Sequence, residues 1–170
     1  MLLLFCQGAL CAQTTLDSLY SVWEDKNKPD STRAMAFTDY IYEGAFNSQP
    51  DSAITFANDL YAFTKKTSYK KGTVDALILR GYVLFRIGNY PKALASYEEG
   101  LDIADKIDYK LGKASILIKT GYIYHDNEDV IRAIKYYQKS LKIYEELDDL
   151  EGISNIYIEF GSIYYTEGAF

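Results

Sequence analysis

The sequence predicts an all-α solenoid built from antiparallel helix pairs that repeat every forty residues. Shifted by forty residues, the chain matches itself at small and aromatic positions, including Gly81 with Gly121 and Gly161, and Tyr97 with Tyr137. A fixed period of this size indicates a solenoid, because each unit buries its apolar face only against its neighbours. Apolar residues recur with helical spacing, and no stretch alternates like a strand bounded by hairpin turns.

Composition limits the classes of function. The chain has 170 residues, 48% of them hydrophobic and 25% charged, which argues against both disorder and a bundle of membrane spans. The net charge of −6 argues against direct binding of nucleic acid, which needs a basic face. Anionic lipid would repel the same charge, so we expect membrane attachment only through a segment downstream of this sequence.

Residues 1–12, MLLLFCQGALCA, predict a signal peptide. The segment is uncharged and apolar, and it ends on the small residue Ala12. A basic region at its start is missing, so a lipid anchor at Cys11 and an apolar segment packed on the first repeat stay open as alternatives. Both cysteines lie within it, and a chain beginning near Gln13 would contain no thiol, as suits a bacterial periplasm. We therefore expect an exported, periplasmic or extracytoplasmic protein, with a cytoplasmic location as the alternative.

Residues 13–30 predict a short helix, at about 15–26, and a linker broken by Pro29. Asp30 or Ser31 is expected to cap the next helix. Residues 31–170 then predict four units, at about 31–69, 70–109, 110–149 and a truncated 150–170. Their helices are expected at about 31–47, 50–67, 70–87, 91–106, 110–127, 130–147 and 150–167.

The repeated columns have steric reasons. A glycine in the middle of a helix costs about 1 kcal/mol relative to alanine. Glycine in three successive helices therefore predicts the close approach of a neighbouring helix. Ala93 and Ala133 place small residues at the same crossing, while Tyr97 and Tyr137 fill the layer between helix pairs.

These columns resemble the tetratricopeptide repeat, a helix–turn–helix unit of about 34 residues in its usual form. The matching positions are Leu77, Gly81, Leu84, Gly88, Tyr90, Ala93 and Tyr97, followed by Leu117, Gly121, Tyr124, Ala133 and Tyr137. The resemblance covers about residues 31–170, with a degenerate first unit in which Ile41 replaces the packing glycine. It implies a right-handed superhelix whose first helices line a concave groove for a protein or peptide ligand.

The forty-residue period resembles kinesin light chains and the N-terminal extracytoplasmic repeats of Bacteroidetes-type signalling proteins. The runs SYKKG, GYVLF and GNYPKALASY are most similar to the second group. That resemblance implies a non-catalytic protein–protein interaction module, the sensor or scaffold region of a bacterial signalling protein. The alternatives are a stand-alone soluble scaffold, or a fragment of a sensor histidine kinase, nucleotide cyclase or transcriptional regulator whose output domain is missing.

The last residues, Gly168 to Phe170, align with the turn at Gly88 and predict a chain cut before a partner helix. We expect the helix near 150–167 to expose Ile156, Phe160 and Ile163. A homo-oligomer through this open end, or a helix that serves as its own cap, is the alternative to a fragment.

Sequence motifs for catalysis are missing. There is one histidine, His125, and the patterns GxSxG, GxxxxGK[ST] and GxGxxG do not occur. We therefore expect no enzyme activity, no cofactor and no bound metal.

Aromatic residues flanked by single charges on the first helices are typical of peptide-binding anchors. The candidate groove residues are Asp75, Tyr82, Phe85, Arg86, Ser115, Lys119, Tyr122, His125, Asp126, Asn155, Glu159 and Ser162. The alternative is that Tyr82, Phe85 and Tyr122 only pack against each other. Ile78 and Tyr82 stand where chaperone-binding relatives carry a lysine and asparagine clamp, so C-terminal acidic tails are poor candidate ligands.

Overall fold

The computed structural model describes residues 15–45, 50–166 and 168. The predicted signal peptide, residues 1–12, lies outside them. All regular elements within the described residues are helical, which confirms the predicted all-α solenoid of consecutive helix pairs. They are α1 at 15–24, α2 Asp30–Tyr40, α3 Pro50–Lys66, α4 Lys70–Arg86, α5 Tyr90–Lys106, α6 Lys110–Asp126, α7 Val130–Glu146 and α8 Leu150–Thr166. A π-helical turn, Ile41–Ala45, continues α2.

The period of forty comes from helices of equal length joined by identical turns. Helices α4 to α8 each contain 17 residues, and three residues connect each to the next. The middle residue of every connection has a positive φ, 76° at Gly88 and 59° at Glu128. After α4, the Asn89 N–H donates to the Leu84 carbonyl at 2.8 Å, a bond that recurs after the next three helices. A residue in the left-handed conformation after a helix lets the following N–H groups bond to the last carbonyls of that helix. It therefore reverses the direction of the chain in the same way at each connection.

The glycine column forms sockets for tyrosine rings. A Cβ atom built on Gly81 would lie 2.2 Å from Tyr97 Cε1, and one on Gly121 would lie 2.3 Å from Tyr137 Cε1. Both rings are buried, with 1% and 0% of their surface exposed. The predicted close approach is therefore made by a tyrosine of the second helix in the same pair.

The first unit closes differently from the others. Ile41, at the packing-glycine position, is fully buried and begins the π-helical turn. Gly44 takes over the close contact, because a Cβ there would lie 2.6 Å from Leu16 Cδ2 of α1. The predicted cap by Asp30 or Ser31 is wrong: α2 follows Pro29 directly and has no side-chain cap.

The apolar residues of α8 that were predicted to be exposed are not the ones that the structure exposes. Ile156 and Ile163 are buried, and Phe160 is half-buried, because they face the core shared with α6 and α7. The two isoleucines lie seven residues apart, two helical turns, and so share one face. The exposed apolar residues of α8 are Leu150, Tyr157, Ile158, Tyr164 and Tyr165. None of the described helices is long and apolar enough to cross a bilayer.

Candidate functional site

An open cavity of about 600 Å³ runs across the first helices of successive pairs. Its walls come from α4, α6 and α8, and seven of the predicted groove residues line it: Tyr82, Phe85, Arg86, Tyr122, His125, Asp126 and Glu159. The cavity is called the groove below. Because α4 and α6 have the same length and position in their units, residues forty apart occupy equivalent places. The pairs are Tyr82 with Tyr122, Phe85 with His125, and Arg86 with Asp126.

Tyrosine rings form one wall of the groove. The Tyr42 and Tyr82 ring centres lie 6.0 Å apart, and Arg86 donates a hydrogen bond to the Tyr82 hydroxyl at 3.0 Å. Tyr42 keeps 37% of its surface exposed. The surrounding protein nevertheless displaces water from its hydroxyl, and this loss of hydration raises the Tyr42 pKa to about 12. Sequence reasoning missed Tyr42, although it precedes Tyr82 and Tyr122 by forty and eighty residues.

An acidic cluster occupies the α8 side. The Tyr137 hydroxyl lies 3.5 Å from Glu159 Oε2 and donates to it, and Tyr122 lines the groove beside the same carboxylate. Burial raises the Glu159 pKa, while His125 and the two tyrosine hydroxyls oppose that rise. Burial is the main cause of the raised Tyr122 pKa, and the nearby charge of Glu159 raises that pKa further. Asp126 accepts a hydrogen bond from the Tyr90 hydroxyl at the rim.

One cation, Lys119 of α6, lies against the α4 wall of the groove. The Lys119 ammonium lies 4.8 Å from the centre of the Tyr82 ring, a cation–π arrangement. Burial lowers the Lys119 pKa because the charged form loses hydration. Beneath this layer the Tyr97 hydroxyl is buried and has no hydrogen-bond partner. Sequence reasoning assigned Tyr97 to packing, and nothing in a single sequence shows whether a tyrosine hydroxyl finds a partner.

Of the five other predicted residues, Lys119 lies beside the groove against Tyr82, and four lie away from it. Asp75 lines a separate cavity of about 140 Å³ with Asp39 and Tyr69 and accepts a hydrogen bond from the Tyr109 hydroxyl at 3.1 Å. Burial raises the Asp75 pKa to about 6, against opposition from that bond and from Lys71. The other three are Ser115, 3.5 Å from the Tyr144 hydroxyl, Asn155, in a third cavity beside Gly152, and Ser162, exposed on α8.

The three groove aromatics, Tyr82, Phe85 and Tyr122, each pack against an aromatic ring that does not line the groove. Tyr82 pairs with Tyr42 at 6.0 Å, Phe85 with Tyr90 at 5.9 Å. Tyr122 meets Tyr137 edge-to-face at 6.0 Å. Neighbouring rings therefore hold these three side chains in place while one face of each stays in the groove wall.

Across residues 15–45 and 50–166, no group of three or more His, Cys, Asp or Glu side chains is arranged to hold a metal ion.

Residues 71–146, which span α4 to α7, match the tetratricopeptide repeat family. These two central helix pairs are therefore similar to tetratricopeptide repeats. The crystal structure of BtubC (BKLC) from P. vanneervenii has a similar fold, with a TM-score of 0.73 at 15% identity. The alignment covers 93% of this chain and 65% of that one, so this chain spans less than two thirds of its length. No curated protein matches the sequence.

The residues that match the tetratricopeptide repeat include six of the seven that line the groove. Repeats of this family generally bind proteins and are generally non-catalytic. In this stack of helix pairs the groove lies on the first helices of the pairs, and it combines aromatic, cationic and anionic side chains.

Proposed function

We propose that the chain is a non-catalytic protein–protein interaction module whose groove binds an extended peptide segment of a partner protein. One observation supports this most: seven aromatic and charged side chains from three different helices line one open cavity. Tyrosine, phenylalanine and arginine are enriched at protein interfaces, since they combine a large contact area with a polar tip.

The groove is tested by a paired substitution on its α6 wall. Random peptides displayed on phage are panned on the purified chain, and the dissociation constants of the selected peptides are measured by fluorescence anisotropy. Tyr122→Ala combined with His125→Ala removes two lining residues, and we expect at least a tenfold loss of affinity. The matched control is Tyr136→Ala combined with Lys139→Ala, which removes a ring and a cation 5.2 Å apart on α7, outside the groove. Equal losses in the two variants, or none in the first, would sink the proposal.

A second interaction surface is the exposed apolar stripe of α8, for which we propose a second copy of this chain as the occupant. Gly161 has no atom within 4 Å of the place of a Cβ, unlike its equivalents Gly81 and Gly121. Exposed apolar residues stand symmetrically around it: Tyr157 and Ile158 lie four and three residues before, Tyr164 and Tyr165 three and four after. Two antiparallel copies crossing at Gly161 would therefore place each aromatic or aliphatic side chain against one of its counterparts.

The stripe has enough area for a weak dimer. Its three tyrosines are 58%, 57% and 78% exposed. With about 200 Å² per tyrosine and a similar share from Leu150 and Ile158, about 600 Å² per copy would be buried, near the lower limit for a specific interface. Light scattering after size exclusion should give a mass that rises with concentration towards twice 19.4 kDa. Tyr164→Lys should keep the chain monomeric, and a monomer at every concentration of the unaltered chain rules the dimer out.

We further propose that the chain is exported and serves as the sensor or scaffold region of a bacterial signalling protein. The support is the apolar segment 1–12, the position of both cysteines within it, and the resemblance of the repeats. A cytoplasmic stand-alone scaffold is the alternative. Mass spectrometry of the protein from cell fractions should find an N-terminus near Gln13 in the exported fraction. An intact Met1 in the cytoplasm contradicts export, and a reading frame without an output domain after Phe170 contradicts the sensor role.

A further inference from the structure

Two charged subsites of opposite sign lie at the groove, one at Lys119 beside the lining residue Tyr82 and one at the lining residues Glu159 and Asp126. The geometry points to a ligand that carries both charges. We infer that the groove selects a peptide segment with an acidic side chain at Lys119 and a basic side chain, about three residues away, at Glu159 and Asp126. The inference rests on the proposed function and names the chemistry of the partner at that same site.

The cationic subsite is an ammonium without an acidic partner. Lys119 lies on α6 and is half-buried, with its Nζ atom over the Tyr82 ring. Among the ion pairs of the described residues none includes Lys119. An exposed lysine would be hydrated, whereas this one has lost part of its water and gained only a π face. A carboxylate from outside would restore the missing half of an ion pair.

The repeat shows how this imbalance arises. Tyr137 donates its hydroxyl hydrogen to Glu159, which is the tenth residue of α8. The equivalent of Tyr137 is Tyr97, and the tenth residue of α6 is Lys119. A lysine carries three donors and no acceptor. The Tyr97 hydroxyl has no hydrogen-bond partner, and the position that is equivalent to the acceptor Glu159 holds a lysine. The central unit therefore lacks a carboxylate at this position.

The anionic subsite consists of Glu159 on α8, one unit further on, and Asp126 at the end of α6. Glu159 and Asp126 both line the groove, and both accept hydrogen bonds from tyrosine hydroxyls. No lysine or arginine pairs with either of them among the ion pairs of the described residues. His125, on the same helix as Asp126, favours the ionised form of Glu159. A lysine or arginine of a ligand would complete this subsite.

The separation of the subsites sets the spacing in the ligand. Lys119 and Glu159 occupy the same position on successive first helices, α6 and α8. Neighbouring helices pack with their axes about 8–10 Å apart, and an extended peptide advances about 3.3–3.6 Å per residue. An acidic and a basic side chain about three residues apart therefore match the two subsites. A C-terminal carboxylate alone would leave Glu159 and Asp126 without a cationic partner.

The test uses the peptides selected by phage display. Peptides are compared with versions in which the acidic residue becomes its amide or the basic residue becomes norleucine. On the protein, Lys119→Glu and Glu159→Lys should each weaken the selected peptide at least tenfold. The double exchange should bind a peptide with the two charges swapped in preference to the original. Controls of the same charge change are Lys135→Glu and Glu145→Lys, both at exposed positions of α7.

The outcomes separate this inference from the proposed function. Lys119→Gln and Glu159→Gln remove each charge without reversing it, and circular dichroism checks that every variant keeps its helical fold. If peptides bind the groove but show no acid–base pair, and the charge variants bind them as the unaltered chain does, the inference is overturned while the proposed function stands. If no peptide binds the unaltered chain, the proposed function fails, and the inference fails with it.

Discussion

Replacing one glycine of the repeat column with alanine should have opposite effects in different units. Gly81 and Gly161 occupy the same helical position, twelfth in α4 and in α8. At Gly81 an added Cβ would lie 2.2 Å, 2.6 Å and 2.8 Å from three atoms of the Tyr97 ring. At Gly161 nothing lies within 4 Å. The chain therefore carries its own matched control for the steric role of this column.

The magnitudes follow from two opposing effects. Alanine in a helix interior is favoured over glycine by about 1 kcal/mol. Overpacking a buried site typically costs about 1–3 kcal/mol, and the upper value applies at Gly81 because Tyr97 is a rigid ring with 1% of its surface exposed. We expect Gly81→Ala to lower the free energy of unfolding by about 2 kcal/mol, and Gly161→Ala to raise it by about 1 kcal/mol.

Urea denaturation followed by circular dichroism measures both values. The chain is kept dilute so that contacts between copies through α8 do not contribute. Gly121→Ala, where a Cβ would lie 2.3 Å from the Tyr137 ring, should behave like Gly81→Ala. Equal changes at Gly81 and Gly161, of either sign, would refute the steric explanation of the column.

Two further predictions concern buried polar groups. Burial raises the Asp75 pKa to about 6, above the unfolded value of about 4, so the protonated form is favoured in the folded chain, and stability should fall as pH rises from 4 to 6. Asp75→Asn should therefore raise the free energy of unfolding by about 3 kcal/mol above pH 6 and leave it unchanged below pH 4, since an amide still accepts from Tyr109. Urea titrations at several pH values measure this, and a pH-independent difference contradicts it. Tyr97→Phe removes an unpaired buried hydroxyl and should stabilise the chain by about 1 kcal/mol in thermal melts. Tyr137→Phe removes a donor to Glu159 and should not stabilise it, so the same gain in both variants argues against an unpaired Tyr97.

The candidate site was predictable where the repeat carries it. Tyr82, Phe85, Tyr122 and His125 sit on the first helices at positions that the period of forty superposes, and they line one groove. Asp75 was expected there as well, yet its side chain lies two turns earlier on α4, in a separate cavity beside Asp39. Helical position gives the face on which a residue lies, but the cavity that it reaches depends on which neighbours fill the space around it.

The first unit and α8, at the two ends of the stack, differ from the sequence prediction for a related reason. For α8, the pattern showed apolar residues on more than one face, and only packing decided that Ile156 and Ile163 are covered while Tyr157 and Tyr165 are not. In the first unit, Ile41 stands at the position of the packing glycine, and the π-helical turn moves the close contact to Gly44. A one-turn change of helical geometry leaves no periodic signal in a single sequence.

The sequence by itself determined the helical class, the forty-residue unit and the side of each pair that carries the groove, because periodicity and small-residue columns are local and repeat. Tertiary structure alone decided which polar groups find partners. The Tyr137 hydroxyl meets Glu159, while the Tyr97 hydroxyl meets none and Lys119 remains without a carboxylate. Partnership between polar atoms depends on the distance between side chains of different helices. Equivalent residues in two units can therefore have opposite electrostatic roles.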